Sequence, residues 1–466
     1  MPSPSTPPRS ATTDAVTPKQ SAYLQEYRHI ITLGIPMIIG QLGTIVLSFA
    51  DTIMIGHHST LELAAAAFVT QIFMLGILFS MGFAYGLTPM VGSSYARGDN
   101  QRLNLLVHNG VVANLCVSLL LMVIYGVFYF CLDHLGLPCE LTPLMRPYYI
   151  VNWLSLPFIC LANTLKQVAD GTTDTRTPMW IMLGGNLVNI AGNWLLIFGK
   201  CGLPELGLLG AGLSTLLSRV LMAAVFVSIV FCTHRYRALF VTGREAVVTL
   251  KNQMLMHRMG WPLGLQMAME SGAWSLTGIV VGWIGSVALA GHQVMLSVSQ
   301  IFFQIYYAIS AAVSIRISHH CGRLDYGQVR TTAWAGFHLN LLVALAFSGP
   351  VFLLRHQIGW LFTTSAEVVG IVAGAILPLL LYQVSDAFQC TFCNAMRGLS
   401  YVKPLTLVSF IAYFLVSIPL SYLFGITLDG GLVGVWCSFP FGLSVAGLLY
   451  YGFFRRRYKW LMSGKA

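Results

Sequence analysis

Three carboxylates stand well inside long apolar stretches of this chain: Asp51, Glu270 and Asp386, with Asp170 at the end of another such stretch. A charged side chain deep in a bilayer costs at least ~2.5–3.5 kcal/mol, so such a residue faces a polar interior or a water-filled cavity and marks a candidate site. For Glu270, in RMGWPLGLQMAMESGAW at Arg258–Trp274, the structural alternative is a neutral carboxyl hydrogen-bonded for packing. Polar company recurs at helical spacing. Tyr382 and Asp386 are four apart and share a helix face, as do Asn189 and Asn193, with Asn186 on a neighbouring face. Carboxylate, phenol and amide oxygens are hard ligands suited to Na⁺ or to a proton relay. For the asparagines, interhelical hydrogen bonding at ~0.6–2 kcal/mol per contact is the competing role. Arg219 has two open roles, pairing with an acid or reaching a water-filled cavity. Cys390 and Cys393 have CxxC spacing without a second pair, which argues against a metal or redox centre. His57-His58 and His319-His320 fall near span ends and read as interfacial or loop histidines.

The elements that must position these groups are membrane helices. Of 466 residues, 56% are hydrophobic and 9% charged, far too little charge for a soluble protein of this length. Runs of about 20 apolar residues, each enough to span a bilayer as a helix, recur from Ile31 almost to the C-terminus. Twelve can be drawn, six before and six after the basic segment His234–His257. The expected fold is therefore all-α and polytopic. Twelve transmembrane helices form two pseudo-symmetric six-helix lobes. The expected boundaries are a disordered cytoplasmic tail at 1–22, an N-lobe at 23–233, a cytoplasmic linker at 234–257, a C-lobe at 258–454 and a basic cytoplasmic tail at 455–466. The Pro/Ser/Thr-rich start has no signal-peptide pattern.

A formal charge of +10 could indicate a nucleic-acid partner, but the basic residues sit in short loops between spans. With the N-terminus inside, residues such as Arg97, Arg176, Arg323, Arg330, Arg397 and Arg455 fall on the cytoplasmic side. Only Arg146, Lys200 and Arg355 fall opposite. That asymmetry places both termini in the cytoplasm and excludes a nucleic-acid role.

The halves repeat. Gly34-Ile-Pro36 recurs as Gly260-Trp-Pro262, Leu63-Ala64 as Leu289-Ala290, and Gly171…Pro178 as Gly398…Pro404, at an offset of about 226 residues. A looser match joins the Leu-Gly-Ala-Gly ending at Gly212 to the Leu-Val-Gly-Val ending at Val435. An even number of spans per half makes this a parallel repeat, related by an axis along the membrane normal. At the common offset Glu270 aligns with Thr44, Asp51 with Thr277 and Asp386 with Cys160. The frame is duplicated and the acids are not, so the acids read as functional.

Four stretches carry a resemblance to a known family: FADTIMIG at Phe49–Gly56, NLVNIAGNWLLIFGKCGLPELG at Asn186–Gly207, GWPLGLQMAMES at Gly260–Ser271 and YQVSDAFQ at Tyr382–Gln389. In these the chain resembles the multidrug and toxic compound extrusion (MATE) transporters, in particular the NorM-like bacterial branch. The resemblance covers nearly the whole chain after the tail. It implies a cation-coupling set in the C-lobe at Glu270, Asp386 and Tyr382, with Na⁺ as a possible occupant. It also implies an N-lobe set at Asp51, Asn189, Asn193 and, more weakly, Thr215. Some relatives have a second N-lobe acid where this chain has Asn193.

The expected function is export of amphipathic organic cations or drugs by antiport with Na⁺ or H⁺, the two lobes giving alternating access, with no cofactor and no catalytic residue. The setting is the bacterial cytoplasmic (inner) membrane, and the chain is expected to act as a monomer in the lipid bilayer. A lipid-linked oligosaccharide flippase of the same superfamily would want a cationic groove for pyrophosphate. Here the spans hold acids and only Arg219 as a clear basic residue. An intramembrane enzyme would need a dyad or metal set such as HExxH, and none is present.

Overall fold

The structure, a computed structural model, describes residues 18–134, 140–233, 236–237 and 248–464. Among the described residues there are twelve long helices. The first six are α1 (Pro18–His58), α2 (Thr60–Arg97, with a break at Gly86), α3 (Asn100–Cys131), α4 (Thr142–Gly171), α5 (Arg176–Ile197) and α6 (Leu208–Cys232). The second six are α7 (Leu250–Ile284), α8 (Ser286–Gly322), α9 (Tyr326–Leu353), α10 (Ala366–Gly398), α11 (Lys403–Thr427) and α12 (Gly431–Met462).

Among the described residues, eleven helices are long and apolar enough to cross a membrane. The exception is α7. Its 35 residues reach about 52 Å at ~1.5 Å per residue, ample for a ~30 Å hydrocarbon core. It is less apolar because it carries Lys251, Gln253, His257, Gln266 and Glu270, the composition of a wall that faces a polar interior.

Three expected boundaries move. Residues 18–22 are helical and belong to α1, while residues 1–17 lie outside the described residues. The linker at 234–257 is shorter than expected. Helix α7 begins at Leu250, where the Thr249 side chain accepts a hydrogen bond from the Asn252 amide at 3.3 Å. Residues 234–235 and 238–247 lie outside the described residues. The basic tail from Arg455 is a helical continuation of α12 as far as Met462.

The repeat reappears in three dimensions. Gly171, ending α4, lies so close to α2 that a Cβ would come 2.8 Å from Val91 and 3.0 Å from the Thr88 carbonyl. Its counterpart Gly398, ending α10, lies as close to the Ser314 carbonyl (2.7 Å) and Ile317 (2.8 Å) of α8. Positions 314 and 317 follow 88 and 91 by the same offset that relates the sequence motifs. The lobes meet through equivalent pairs, α1 on α8 and α7 on α2. The α2–α7 crossing is backbone on backbone. Gly82 and Gly86 on α2 face Gly260 and Gly264 on α7, and a Cβ on Gly82 would sit 2.6 Å from the Leu263 carbonyl. Two small residues four apart on each helix are what such an approach requires in lipid.

Both described termini lie at one end of the bundle, called here the terminal end. Every inter-lobe side-chain hydrogen bond among the described residues lies in that half. Tyr27 Oη and His338 Nδ1 are 2.8 Å apart, Arg97 Nε donates to the Gly322 carbonyl at 3.2 Å, Gln253 Nε2 donates to Asn109 Oδ1 at 3.0 Å, and His319 Nε2 lies 2.9 Å from the Gly171 carbonyl. The centre of this seal is Glu26, which is only 4% exposed. Its carboxylate accepts from Arg316 at 2.5 and 3.2 Å and from Thr332 at 2.9 Å, and His320 Nε2 lies 3.2 Å away.

Removing one partner of a buried pair strands the other charge, at about 3–5 kcal/mol, whereas removing both is far less costly. Glu26→Ala is therefore expected to lower the thermal unfolding midpoint in detergent and to speed thiol labelling of a cysteine at Ser318, now fully buried. Adding Arg316→Met should restore much of the midpoint. An unchanged midpoint and labelling rate in Glu26→Ala would show that the pair does not hold the lobes together.

Candidate functional site

Away from the seal, the lobes enclose a cavity of about 870 Å³. Helix α2 contributes Gln71, Met74 and Leu78, while α7 and α8 supply most of the remaining wall. The lining is mixed in a definite way: Met267, Trp274, Trp283 and Phe303 are apolar or aromatic, and Glu270 is the one carboxylate. Trp283 at the rim is 67% exposed, so the cavity reaches the surface at the end opposite the termini.

Around Glu270 the C-lobe builds an aromatic wall. Trp274, one turn further along α7, stacks on Phe439 with centroids 4.4 Å apart and meets Tyr382 edge-on at 5.9 Å. Tyr382 also meets Trp436 at 6.0 Å. Tyr382 lines the cavity, and Asp386, one turn deeper on α10, lies behind it and is 2% exposed. Pro378, one turn before Tyr382, removes an amide donor from α10 just ahead of this site. Glu270 and Asp386 are close enough to interact electrostatically.

The hydrogen-bond census here is incomplete in an informative way. Asp386 Oδ1 has a weak 3.5 Å contact from the Cys390 thiol, the Tyr382 hydroxyl one turn away also acts on the carboxyl, and Asp386 Oδ2 has no partner. Tyr306 Oη and both polar atoms of Gln383 are also buried without partners. Unpaired buried polar atoms are rare in native proteins and call for a bound water, ion or proton. The oxygens of Glu270, Asp386 and Tyr382 form a hard donor set suited to a small cation.

In the N-lobe the expected residues also come together. Asn193 Nδ2 donates to Asp51 Oδ1 at 2.5 Å and to Asn189 Oδ1 at 3.1 Å, and Asn189 Nδ2 donates to Thr215 Oγ1 at 3.1 Å. One chain of bonds thus joins α1, α5 and α6. Arg219 donates to Ser155 Oγ at 2.5 Å and acts on Asp51 through space without an ion pair. None of these residues lines the large cavity, so the two sets form separate clusters. Asp170 belongs to neither. It pairs with Lys166 at 3.1 Å in a polar chamber of about 20 Å³ between the lobes, near the seal.

Several groups at the C-lobe site carry little sequence signal. The Tyr413 hydroxyl lies near enough to Glu270 to act on its carboxyl. It projects from a π-helical stretch of α11, Phe410–Ser417, and such wide turns recur at functional sites. Arg397, read from sequence as a cytoplasmic loop charge, is 3% exposed inside α10. It donates to Tyr307 Oη and to Gln266 Oε1, both at 3.0 Å, and its charge acts on Glu270. Gln266 lies one turn before Glu270, a helical spacing that could have flagged it.

Comparison with known proteins agrees with this architecture. The MatE family model matches the chain twice, at residues 36–195 and 262–423, and the two matches begin 226 residues apart. The chain is 30% identical over 441 residues to the multidrug resistance protein MdtK of Yersinia pseudotuberculosis, covering 92% of this chain and 94% of that one. It is 27% identical over 431 residues to the multidrug resistance protein NorM of Vibrio vulnificus, with the same coverage. Its fold superposes with a TM-score of 0.85, at 20% identity, on a structure described as the outward-facing conformation of a multidrug resistance MATE family transporter, covering 94% of this chain and 97% of that one. With a twice-matched family model and near full-length relatives, the chain belongs to the MatE family of membrane transporters.

Proposed function

We propose that the protein is a multidrug efflux transporter that exports amphipathic organic cations by antiport with Na⁺ or H⁺. The observation that carries this reading is a single carboxylate, Glu270, on the aromatic wall of a large cavity, with the underbonded Asp386 behind it. Ring faces attract a cation within about 6 Å of their centroids, and Glu270 supplies the opposite charge. The coupling cation belongs at Glu270, Asp386 and Tyr382, where it competes with the drug for the same negative charge. Either cation lowers the cost of the carboxylates in the bilayer, and occupancy by one favours release of the other. Each elementary charge moving inward gains about 2.3 kcal/mol per 100 mV. A tenfold drug gradient costs about 1.4 kcal/mol.

Loop charge supports a cytoplasmic terminal end in a bacterial inner membrane. In that orientation the seal at Glu26 closes the cytoplasmic side and the cavity faces outward. The near full-length relatives bear the name multidrug resistance protein, which supports drugs as the exported compounds. We assign Asp51, Asn189, Asn193 and Thr215 to a second cation-sensitive site. The bond chain already in place there gives Asp51 two states, bonded to Asn193 or ligating a cation.

Drug efflux in inverted vesicles under separately imposed Na⁺ and pH gradients tests the antiport. Glu270→Gln and Asp386→Asn are each expected to lower gradient-driven efflux at least tenfold while the protein still inserts and folds. Wild-type efflux in both would remove the C-lobe assignment. For the N-lobe site, Asp51→Asn keeps size and most hydrogen bonds but cannot ionise. Drug should still bind it, while release by Na⁺ or acid weakens. Unchanged cation-dependent release, with Asn189→Ala equally silent, would leave Asp51 a packing residue. Orientation is checked with single cysteines at Ser59 and Gly243 in a cysteine-depleted background. An impermeant reagent on intact cells should label Ser59→Cys and not Gly243→Cys, and the reverse pattern would invert the topology.

A further inference from the structure

A second hollow, of about 380 Å³, opens between α1 and α9 near the terminal end. It is lined by Tyr23, Gly327, Arg330, Thr331, Trp334 and His338. We propose that it binds the headgroup of an anionic phospholipid, with the phosphate against Arg330 and Thr331 and the acyl chains lying along α1 and α9.

The hollow is built from two facing stripes. On α9, Arg330, Trp334 and His338 follow one another four residues apart, and on α1 so do Tyr23 and Tyr27. The stripes are tied together where Tyr27 Oη meets His338 Nδ1 at 2.8 Å, with the Tyr23 and Trp334 rings 5.8 and 6.2 Å from His338. No carboxylate lines the hollow. Among the described residues Arg330 has neither an ion pair nor a hydrogen bond, in contrast to Arg316 nearby, whose charge is absorbed by Glu26. An unspent guanidinium beside a hydroxyl is chemistry for a phosphate diester.

Depth decides between a lipid and a soluble phosphate. Arg330 and Trp334 lie in the first turns of a membrane helix, and Trp and Tyr at span ends mark the level of lipid headgroups. Continuing each stripe away from the terminal end, α1 presents Ile31 and Ile35, 43% and 50% exposed, and α9 presents Leu342, 65% exposed. These apolar rails fit an acyl chain and offer nothing to inorganic phosphate. Basic pockets between membrane helices are known headgroup sites. Because α1 belongs to one lobe and α9 to the other, a bound lipid spans both and adds to the closure at the terminal end.

The test uses the full-length protein in neutral detergent. Phosphatidylglycerol, phosphatidylcholine and inorganic phosphate are added separately. Lipid retention is read by native mass spectrometry, and the thermal unfolding midpoint is followed alongside. Wild type should retain phosphatidylglycerol at least tenfold more than phosphatidylcholine and be stabilised by the former alone. Arg330→Gln should lose the preference, Arg330→Lys should keep part of it, and Thr331→Val should weaken it severalfold. Thr331→Val removes only one hydroxyl, so it keeps the test decisive if Arg330→Gln folds poorly. Arg28→Gln, an exposed change outside the hollow, should have no effect. Equal stabilisation by inorganic phosphate would overturn the lipid assignment. An undiminished preference in Arg330→Gln and Thr331→Val would place anionic-lipid binding elsewhere.

Discussion

An ion in the hydrocarbon core has no water to turn to, so each one must find a partner in the protein or a polar cavity. That constraint organises this molecule. Glu26 and Arg316 satisfy it in this conformation, each supplying what the other lacks across the lobe boundary at 2.5 Å. Lys166 and Asp170 satisfy it one turn apart on a single helix. Asp386 does not satisfy it: no basic side chain pairs with it among the described residues, and one of its oxygens is buried without a hydrogen-bond partner. Paired charges hold the frame together, and the acids without a basic partner are the ones proposed above to meet a cation. The division also runs along the membrane normal. These two pairs lie at the terminal end, where the lobes touch, and Asp386 lies beside the cavity.

The same constraint explains why the frame was largely legible in the sequence. Apolar runs of span length, a few isolated acids and small residues at fixed offset all follow from burial in lipid, which acts locally along the chain. Gly171 and Gly398 were recognisable as a repeated pair, and in the structure each makes the same backbone approach in its own lobe. The partners were not legible, because they are set by tertiary distance. Glu26 meets Arg316 from 290 positions away, and nothing near Glu26 in the sequence announces that meeting. Arg397 was misread for a related reason. A basic residue beside a helix end looks like a loop charge until Tyr307, Gln266 and Asn394 are seen to enclose it. The start of α7 was hidden because its first turns are polar, facing the other lobe at Gln253 rather than lipid.

The duplicated frame also supplies an internal control for the acids. Glu270 corresponds to Thr44, Asp51 to Thr277 and Asp386 to Cys160 in the opposite lobe. Each of these counterparts is content where it stands. Thr44 Oγ1 donates to the Gln41 carbonyl at 2.7 Å and Thr277 Oγ1 to the Ala273 carbonyl at 2.9 Å, both within their own helices. Cys160 is paired with Ser80 at 2.9 Å. A position that only had to be polar could be filled by such a residue in either lobe, at no cost in buried charge. The acids carry that cost on one side only, and two of them act beyond their own helix, Asp51 through the bond from Asn193 on α5 and Glu270 on the Tyr413 hydroxyl of α11. Packing accounts for the shared frame. What the frame leaves unexplained is confined to the three acids and their immediate partners, and that unexplained charge is the physical ground for the cation sites proposed above.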